Sequence, residues 1–146
     1  MNDMISNSSK YAIKAVLFLG LYSDEKTKVM AKDIAGPIKA PQPYISKILQ
    51  ELSRHQIISS MKGPKGGFYL SQENKKQFLI NIVTTIEGEN RIHTCVLGLE
   101  KCDLERPCPL HHVVYPTKFQ LLEYLSNETI ESFTEKYETG HSYFSI

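Results

Sequence analysis

The residues of this chain best suited to chemistry are concentrated in one short segment, TCVLGLEKCDLERPCPLHH, at positions 94–112. The segment contains all three cysteines of the chain and two adjacent histidines: Cys95, Cys102, Cys108, His111 and His112. Thiolates bind soft or borderline metals, and three of them with one imidazole can complete a four-coordinate zinc site or hold a 2Fe–2S cluster. The segment therefore predicts a metal centre or a redox-active group of thiols.

The spacing of the cysteines leaves the type of centre open. Zinc knuckles usually use cysteine pairs about two to four residues apart, whereas the gaps here are six and five residues, which suits a larger object than one ion. Gly98, Pro107 and Pro109 favour a fixed, non-helical path for the loop. A structural zinc site and a metal-free thiol redox switch are the alternatives to a cluster. Buried, apolar cysteines are a further alternative, which five charged neighbours disfavour: Glu100, Lys101, Asp103, Glu105 and Arg106.

The composition is that of an ordinary globular protein. The chain has 146 residues, 41% of them hydrophobic and 23% charged, which is enough for one domain or two small modules sharing a core. Its most apolar run, residues 11–22, contains Lys14, is too short to cross a bilayer and lacks the features of a signal peptide. We expect a cytoplasmic protein without membrane contact, where clustered cysteines are more often metal ligands or redox groups than disulfides.

The charged residues are distributed unevenly along the chain. Residues 1–71 contain ten Lys/Arg and five Asp/Glu, whereas residues 72–146 contain seven Lys/Arg and eleven Asp/Glu. A basic half beside an acidic half indicates that the first half binds a polyanion, with random variation as the alternative explanation.

The hydrophobic spacing predicts a mainly α-helical chain with one small β-hairpin wing, an α+β fold class. Periodic apolar positions predict helices at residues 9–22, 29–35, 41–54, 78–87, 117–125 and from about 127 through 133. Ser8 or Ser9 is expected to cap the first helix. Two β-prone runs, 57–61 and 68–70, lie on either side of the turn KGPKGG and predict the hairpin.

The order of helix, short helix, turn, helix and basic hairpin is that of a winged helix-turn-helix domain, which inserts one helix into the major groove of DNA. The helix at 41–54 has its apolar residues on one face, so its polar residues face outward without an acid at the centre. The glycine-containing hairpin tip can approach the neighbouring minor groove or phosphates. The predicted DNA-binding residues are Gln42, Pro43, Ser46, Lys47, Gln50, Arg54, Lys62, Lys65 and Gly66. A purely structural unit with solvated lysines is the alternative.

The expected partner is double-stranded DNA. One such domain makes few contacts with DNA, so specific binding favours a homodimer on a pseudo-palindromic operator. The sequence contains no glycine-rich cofactor loop and no nucleophile elbow, so we expect neither an enzyme nor a small-molecule substrate, and an iron–sulfur electron carrier is a remote alternative.

Residues 29–71, with DIA and PYISKILQELSRHQIISSMKGPKGGFYLS, resemble the winged-helix domain of the Rrf-type transcription regulators, the family of IscR and NsrR. The resemblance continues through FLINIVTTIEGE and CVLGLEKCDLERPCPLHH, and it fades after about residue 133. It is most specific in the KGPKGGFYL wing and in the C-x6-C-x5-C-P-L-H pattern, which occur in the family's order. The resemblance implies a homodimeric repressor, with an activator as the alternative, whose DNA affinity is controlled by an iron–sulfur cluster or by the redox state of the thiols.

The resemblance also implies a set of ligands. The family's cluster-ligating cysteines match, by position, Cys95, Cys102 and Cys108. In IscR-like members the fourth ligand is a histidine three residues after the last cysteine, which implies His111 and a 2Fe–2S cluster, with the adjacent His112 as the alternative. In NsrR-like members it is an aspartate in the first helix, but the matching position lies near Lys10, which cannot serve, and Ser9 is a weak oxygen candidate.

The chain departs from the family pattern at several positions. The first cysteine gap is six residues rather than the five of IscR-like members, Lys62 replaces a common arginine in the wing, and Val114 replaces a usual tryptophan. Pro116 lies where the dimerisation helix is expected, so it either kinks that helix or marks its first turn.

The resemblance implies four consecutive parts. Residues 1–72 form the DNA-binding domain, residues 73–93 a connecting helix, residues 94–112 the Cys/His sensor loop, and residues 113–146 the dimerisation helix and the tail.

Overall fold

The structure, a computed structural model, describes residues 5–88 and 109–139. Its helices are α1 (Asn7–Tyr22), α2 (Ala31–Ala35), α3 (Gln42–Arg54), α4 (Gln72–Lys75), α5 (Leu79–Glu87), α6 (His111–Asn127) and α7 (Ile130–Thr139). Its strands are β1 (Ser59–Met61) and β2 (Gly67–Tyr69). The predicted fold class, mainly α with a β-hairpin wing, is confirmed. Within the described ranges, no helix has both the length and the apolar character needed to cross a membrane.

Helix α1 lies at the centre of the core, where it contacts α3, α5, α7 and β2. Its buried face includes Ala12, Ala15, Val16 and Leu19. The helix begins at Asn7 because the Ser6 side chain accepts a hydrogen bond from the backbone N–H of Ser9 at 3.1 Å. The prediction that Ser8 or Ser9 caps this helix is therefore wrong, since both lie inside it.

Helices α2 and α3 form the helix-turn-helix, and a left-handed residue closes the turn that follows each helix. After α3, the backbone N–H of Ile57 donates to the Leu52 carbonyl at 2.9 Å, and that of Gln56 donates to the Ser53 carbonyl at 3.0 Å. This pair of bonds usually closes around a glycine with positive φ. Here Gln56 adopts a φ of 62°, and Lys39 adopts a φ of 56° in the equivalent position after α2. The two bonds fix the direction in which the chain leaves α3.

The wing is an antiparallel hairpin in which Ser60 pairs with Phe68. The backbone of Val29 exchanges two hydrogen bonds with that of Phe68, at 2.8 and 2.9 Å, so a single residue before α2 extends the sheet. Strand β1 begins at Ser59 rather than at the predicted residue 57, because Ile57 and Ile58 are buried in the core before the ladder starts.

Helix α4 is a single turn that the hydrophobic pattern did not predict. Ser71 and Asn74 form a reciprocal capping box, in which the backbone N–H of each donates to the side chain of the other. This local exchange of hydrogen bonds fixes the turn without any apolar periodicity.

Helix α6 begins at His111, six residues before the predicted start at Thr117, and Pro116 lies inside it. A proline in a helix removes one backbone hydrogen bond, here the bond to the carbonyl four residues earlier. The burial of Leu125 and the partial burial of Leu121 and Leu122 against the core hold the helix in place. The expectation that Pro116 marks the first turn is wrong, because a full turn precedes it.

The carboxylate of Glu128, between α6 and α7, accepts hydrogen bonds from Lys136 Nζ at 2.8 Å and from Ser132 Oγ at 2.7 Å. These two bonds hold the pKa of Glu128 below its usual value. We expect Glu128→Gln to lower the free energy of unfolding by about 1 kcal/mol at pH 7. Because a depressed carboxylate pKa stabilises the fold above the ordinary value of 4.5, the deficit should vanish as pH falls below it.

Chemical denaturation between pH 3 and pH 7 measures this effect. Glu25→Gln, at an exposed position of the loop between α1 and α2, is the matched control and should change stability little at any pH. A deficit of equal size at pH 3 and pH 7 would contradict the assignment.

Candidate nucleic-acid interface

The outer face of α3 presents the polar side chains that the sequence predicts to contact DNA. The exposed members of the predicted set on this helix are Gln42, Pro43, Lys47, Gln50 and Arg54, and Ser46 is half-buried. The inner face is fully apolar and buried: Ile45, Ile48, Leu49 and Leu52. Packing of this inner face against α1 and α5 fixes the rotation of α3, so the polar face must point outward.

The positive charges of this face differ in their surroundings. Arg54 Nη2 lies 3.2 Å from Glu51 Oε2, and the arginine side chain is 71% exposed. An exposed pair of this kind contributes little to stability, so the guanidinium can move to a phosphate at small cost. Within the described part of the chain, Lys47 forms no ion pair with an acidic side chain. The two cations therefore leave the outer face of α3 attractive to an anion.

The wing tip carries Lys62 and Lys65, both exposed. The turn between them closes through a hydrogen bond from the Gly66 N–H to the Gly63 carbonyl at 2.9 Å. A Cβ added at Gly66 would lie 2.1 Å from the Met61 carbonyl oxygen, so only glycine fits there. The sequence predicted Gly66 as a residue that approaches DNA, and the structure gives it a further role in closing the wing.

An open groove of about 700 Å³ separates the last turns of α3 from the wing. Ser53 Oγ donates to Ser60 Oγ at 3.0 Å and joins its two sides. Met61 also lines the groove and is half-exposed. These three residues were not predicted as site residues, because the groove depends on how the hairpin packs beside the helix. Its hydroxyls and the adjacent Arg54 suit a sugar–phosphate strand.

The first turn of α3 is attached to the start of α1. The hydroxyl groups of Ser8 and Tyr44 are hydrogen bonded, and the ring of Tyr11 meets that of Tyr44 edge to face with centroids 5.6 Å apart. At the N-cap of α1, two residues before Ser8, the Ser6 backbone N–H donates a hydrogen bond to the Glu87 carboxylate at the end of α5. The last residue of α5 is therefore connected through α1 to α3, the predicted recognition helix.

The predicted ligands Cys95, Cys102 and Cys108 lie outside the described residues. His111 is the first residue of α6, and its side chain likewise lies outside the description. Helices α5 and α6, which precede and follow this segment, pack against each other. In the described ranges, no group of three or more His, Cys, Asp or Glu side chains is placed to hold a metal ion.

Helix α6 carries several exposed apolar side chains. Val113 is 73% exposed, Phe119 53% and Tyr124 43%. The half-buried Leu121 and Leu122 of the same helix pack against the core. A helix that exposes apolar side chains beyond those packed on its own core is typical of a protein that covers them with a partner.

Comparison with known families supports the winged-helix interpretation. The sequence model of the Rrf2 family, described as an iron-dependent transcriptional regulator, matches residues 5–136. A candidate HTH-type transcriptional regulator of Aquifex aeolicus is 32% identical over 130 residues, which are 88% of this chain and 89% of that protein.

Solved structures share the fold. CymR (YrzC), described as the global cysteine regulator of B. subtilis, superposes with a TM-score of 0.70 at 20% identity, covering 92% of this chain and 98% of that one. IscR of T. potens superposes with a TM-score of 0.66 at 19% identity, covering 95% and 93% of the two chains.

Proposed function

Because this chain belongs to the Rrf2 family of transcriptional regulators, we propose that it represses transcription by binding operator DNA as a homodimer. In this proposal residues 94–112, the Cys/His segment, control the binding. The observation that supports DNA binding best is the outer face of α3, exposed and without an acid at its centre, beside a basic wing. Lys47 and Arg54 supply charge for phosphates or guanine, and Ser46 and Gln50 supply neutral hydrogen-bonding groups for bases.

The wing supplies the second set of DNA contacts. With α3 in the major groove, Lys62 and Lys65 reach the neighbouring minor groove or its phosphates. The intervening sugar–phosphate strand then occupies the groove between α3 and the wing, against Ser60 and Met61. Lys62, unlike arginine, binds as a point charge, so the wing contributes affinity more than base recognition.

Dimer formation through α6 is part of the proposal. Burying the exposed apolar side chains of α6, among them Val113, Phe119 and Tyr124, against the same helix of a second copy removes them from water. A two-fold arrangement of this kind also gives the paired recognition helices that a pseudo-palindromic operator requires.

The donor set of the Cys/His segment fits a metal centre, because three thiolates and an imidazole match the ligand preferences of both a 2Fe–2S cluster and zinc. We assign the ligands as Cys95, Cys102, Cys108 and His111 and prefer the cluster, in line with the family's description as iron-dependent. When bound, a cluster supplies a redox-sensitive and easily lost crosslink within the segment. A metal-free thiol switch is the second candidate, because clustered thiols can also be oxidised reversibly without a metal.

The Cys/His segment can act on α3 through contacts of the described residues. Rearranging the segment shifts the end of α5, where Glu87 holds the Ser6 N–H at the start of α1. In the first turns of α1, the Ser8 hydroxyl and the Tyr11 ring contact Tyr44, which lies at the start of α3. A change of about 1.4 kcal/mol between binding-competent and incompetent states alters operator occupancy tenfold, so a small shift is sufficient.

Operator binding by α3 variants tests the proposal. On an operator selected from random duplexes, Gln50→Ala should relax base preference at one position, by about 1–3 kcal/mol. Lys47→Ala should weaken binding to all sequences and lower the salt-dependence slope by about one.

Fluorescence anisotropy titrations at several salt concentrations measure both effects. Lys76→Ala removes an exposed lysine outside α3 and the wing, and it serves as the charge-matched control. If neither α3 variant changes binding while the control also binds normally, the assigned face of α3 is wrong.

A further inference from the structure

We infer that Asn74 is a positioning residue for DNA binding, which holds the wing at a fixed orientation relative to the recognition helix. Asn74 is only 5% exposed and lies on α4, outside α3 and the wing tip. It therefore cannot reach DNA itself. The inference rests on the proposed function, because it concerns how the two predicted DNA-contacting elements, α3 and the wing, keep a fixed relative orientation.

The side-chain amide of Asn74 bridges the two elements. Its Nδ2 donates to the Gln56 carbonyl at 3.1 Å, two residues after the end of α3. Its Oδ1 accepts from Ser59 Oγ at 2.8 Å, on the first residue of the wing. The same oxygen accepts from the Ser71 backbone N–H at 2.9 Å, which anchors the amide to the capping box of α4. One planar group thus ties the end of the helix and the start of the hairpin to a common point.

The residue that receives the Nδ2 bond has a constrained backbone. Gln56 has a left-handed φ of 62°, so the direction of its carbonyl is set by the helix end. A second donor, Gln77 Nε2, reaches the same carbonyl at 3.3 Å. The backbone carbonyl of Gln77 in turn accepts from the Ile130 N–H at 2.9 Å, at the start of α7. Hydrogen bonds through Gln77 therefore connect the Gln56 carbonyl to the start of α7.

Donor and acceptor are both needed, which explains why an amide occupies this position. An aspartate accepts hydrogen bonds but has no N–H to donate. It would keep the bonds from Ser59 and Ser71, and with them the cap of α4, while it would face the Gln56 carbonyl without a proton. Asn74→Asp thus separates capping of α4 from bridging between α3 and the wing.

A double-mutant cycle on operator affinity tests the inference. Asn74→Asp and Asn74→Ala should each weaken binding about fivefold. In a protein that already carries Lys62→Ala in the wing, an Asn74 substitution should weaken operator binding by less than about twofold further. In a protein that carries Lys47→Ala on α3, it should still weaken binding by the full factor, so that the two losses multiply. Thermal melts and a stability-matched core variant, Ile130→Val, remove any contribution from unfolded protein. Multiplicative losses with both lysine variants, or an Asn74→Asp protein that binds like the wild type, would overturn the inference.

Amide hydrogen exchange in the free protein gives a second readout that does not depend on DNA. In both Asn74 variants, the Phe68 N–H of the wing should exchange about tenfold faster, while the amides of Leu49 and Leu52 in α3 keep their wild-type rates. Unchanged exchange of the wing would overturn the inference. If the wild type binds no operator while the exchange changes as expected, the proposed function fails and the role of Asn74 in orienting the wing stands.

Discussion

Replacing Gly66 by alanine should weaken operator binding about tenfold or more without unfolding the helical core. The added Cβ would lie 2.1 Å from the Met61 carbonyl oxygen and 2.9 Å from the Lys62 carbonyl carbon. Both are backbone atoms, so no side-chain rotation relieves the overlap. The hairpin must open, at a cost of about 1–3 kcal/mol in overpacking, and its lysines lose their position relative to α3.

The salt dependence of binding identifies the cause of this loss. Each phosphate contact contributes about 0.9 to the slope of log K against log salt, so loss of both wing lysines lowers the slope by about two. Gly36→Ala is the control, because Gly36 has a helical φ of −59° and the nearest atom to its added Cβ is 4.0 Å away. Wild-type affinity and slope in the Gly66 variant would show that the wing does not contribute to binding.

Substitution of Cys102 by serine should abolish the regulation of operator binding. We expect wild-type protein with an intact centre and protein without it to differ in operator affinity at least tenfold, or about 1.4 kcal/mol. In Cys102→Ser the two preparations should bind equally, because a hydroxyl is a poor substitute for a thiolate at a soft metal. Anaerobic purification, analysis of iron, sulfide and zinc, and the visible spectrum accompany the titrations.

The same measurements separate the candidate centres. A brown protein with iron and sulfide supports the cluster, a colourless protein with zinc supports the structural site, and a metal-free protein that responds to oxidant supports the thiol switch. Lys47→Ala is the matched control, since it should keep the metal and lose DNA affinity. Equal operator affinity of metal-loaded, metal-free, oxidised and reduced wild type would rule out control by this segment. Comparing His111→Ala with His112→Ala assigns the fourth ligand.

Periodicity was sufficient to predict the recognition helix. The spacing of Ile45, Ile48, Leu49 and Leu52 assigns the buried face of α3, and all four are buried. Once these positions are buried, the polar positions between them must point toward solvent. The start of α6 was predicted six residues late, because a proline is typical of a helix boundary. In the structure the helix begins at His111 and continues through Pro116.

Features that depend on distant residues could not be predicted in this way. Asn74 follows Gln56 by eighteen positions and Ser59 by fifteen, and no local pattern shows that its amide reaches both. The groove beside Ser60 likewise forms only when the hairpin packs next to α3. Gly66 could be recognised as a turn residue, but its contact with the Met61 carbonyl requires the closed hairpin.

The contact of Gly20 with Thr134 joins the first described helix to the last. A Cβ at Gly20 would lie 2.6 Å from Thr134 Oγ1, so α7 lies directly against α1. A chain leaves the ribosome from its N-terminus, so the apolar surface of α1 remains partly uncovered until α5 and α7 have been translated. The helix that supports α3 thus gains its last packing partner only after the cysteine segment has been made. The core beneath the DNA-facing surface is completed only once the element proposed to control that surface has been translated.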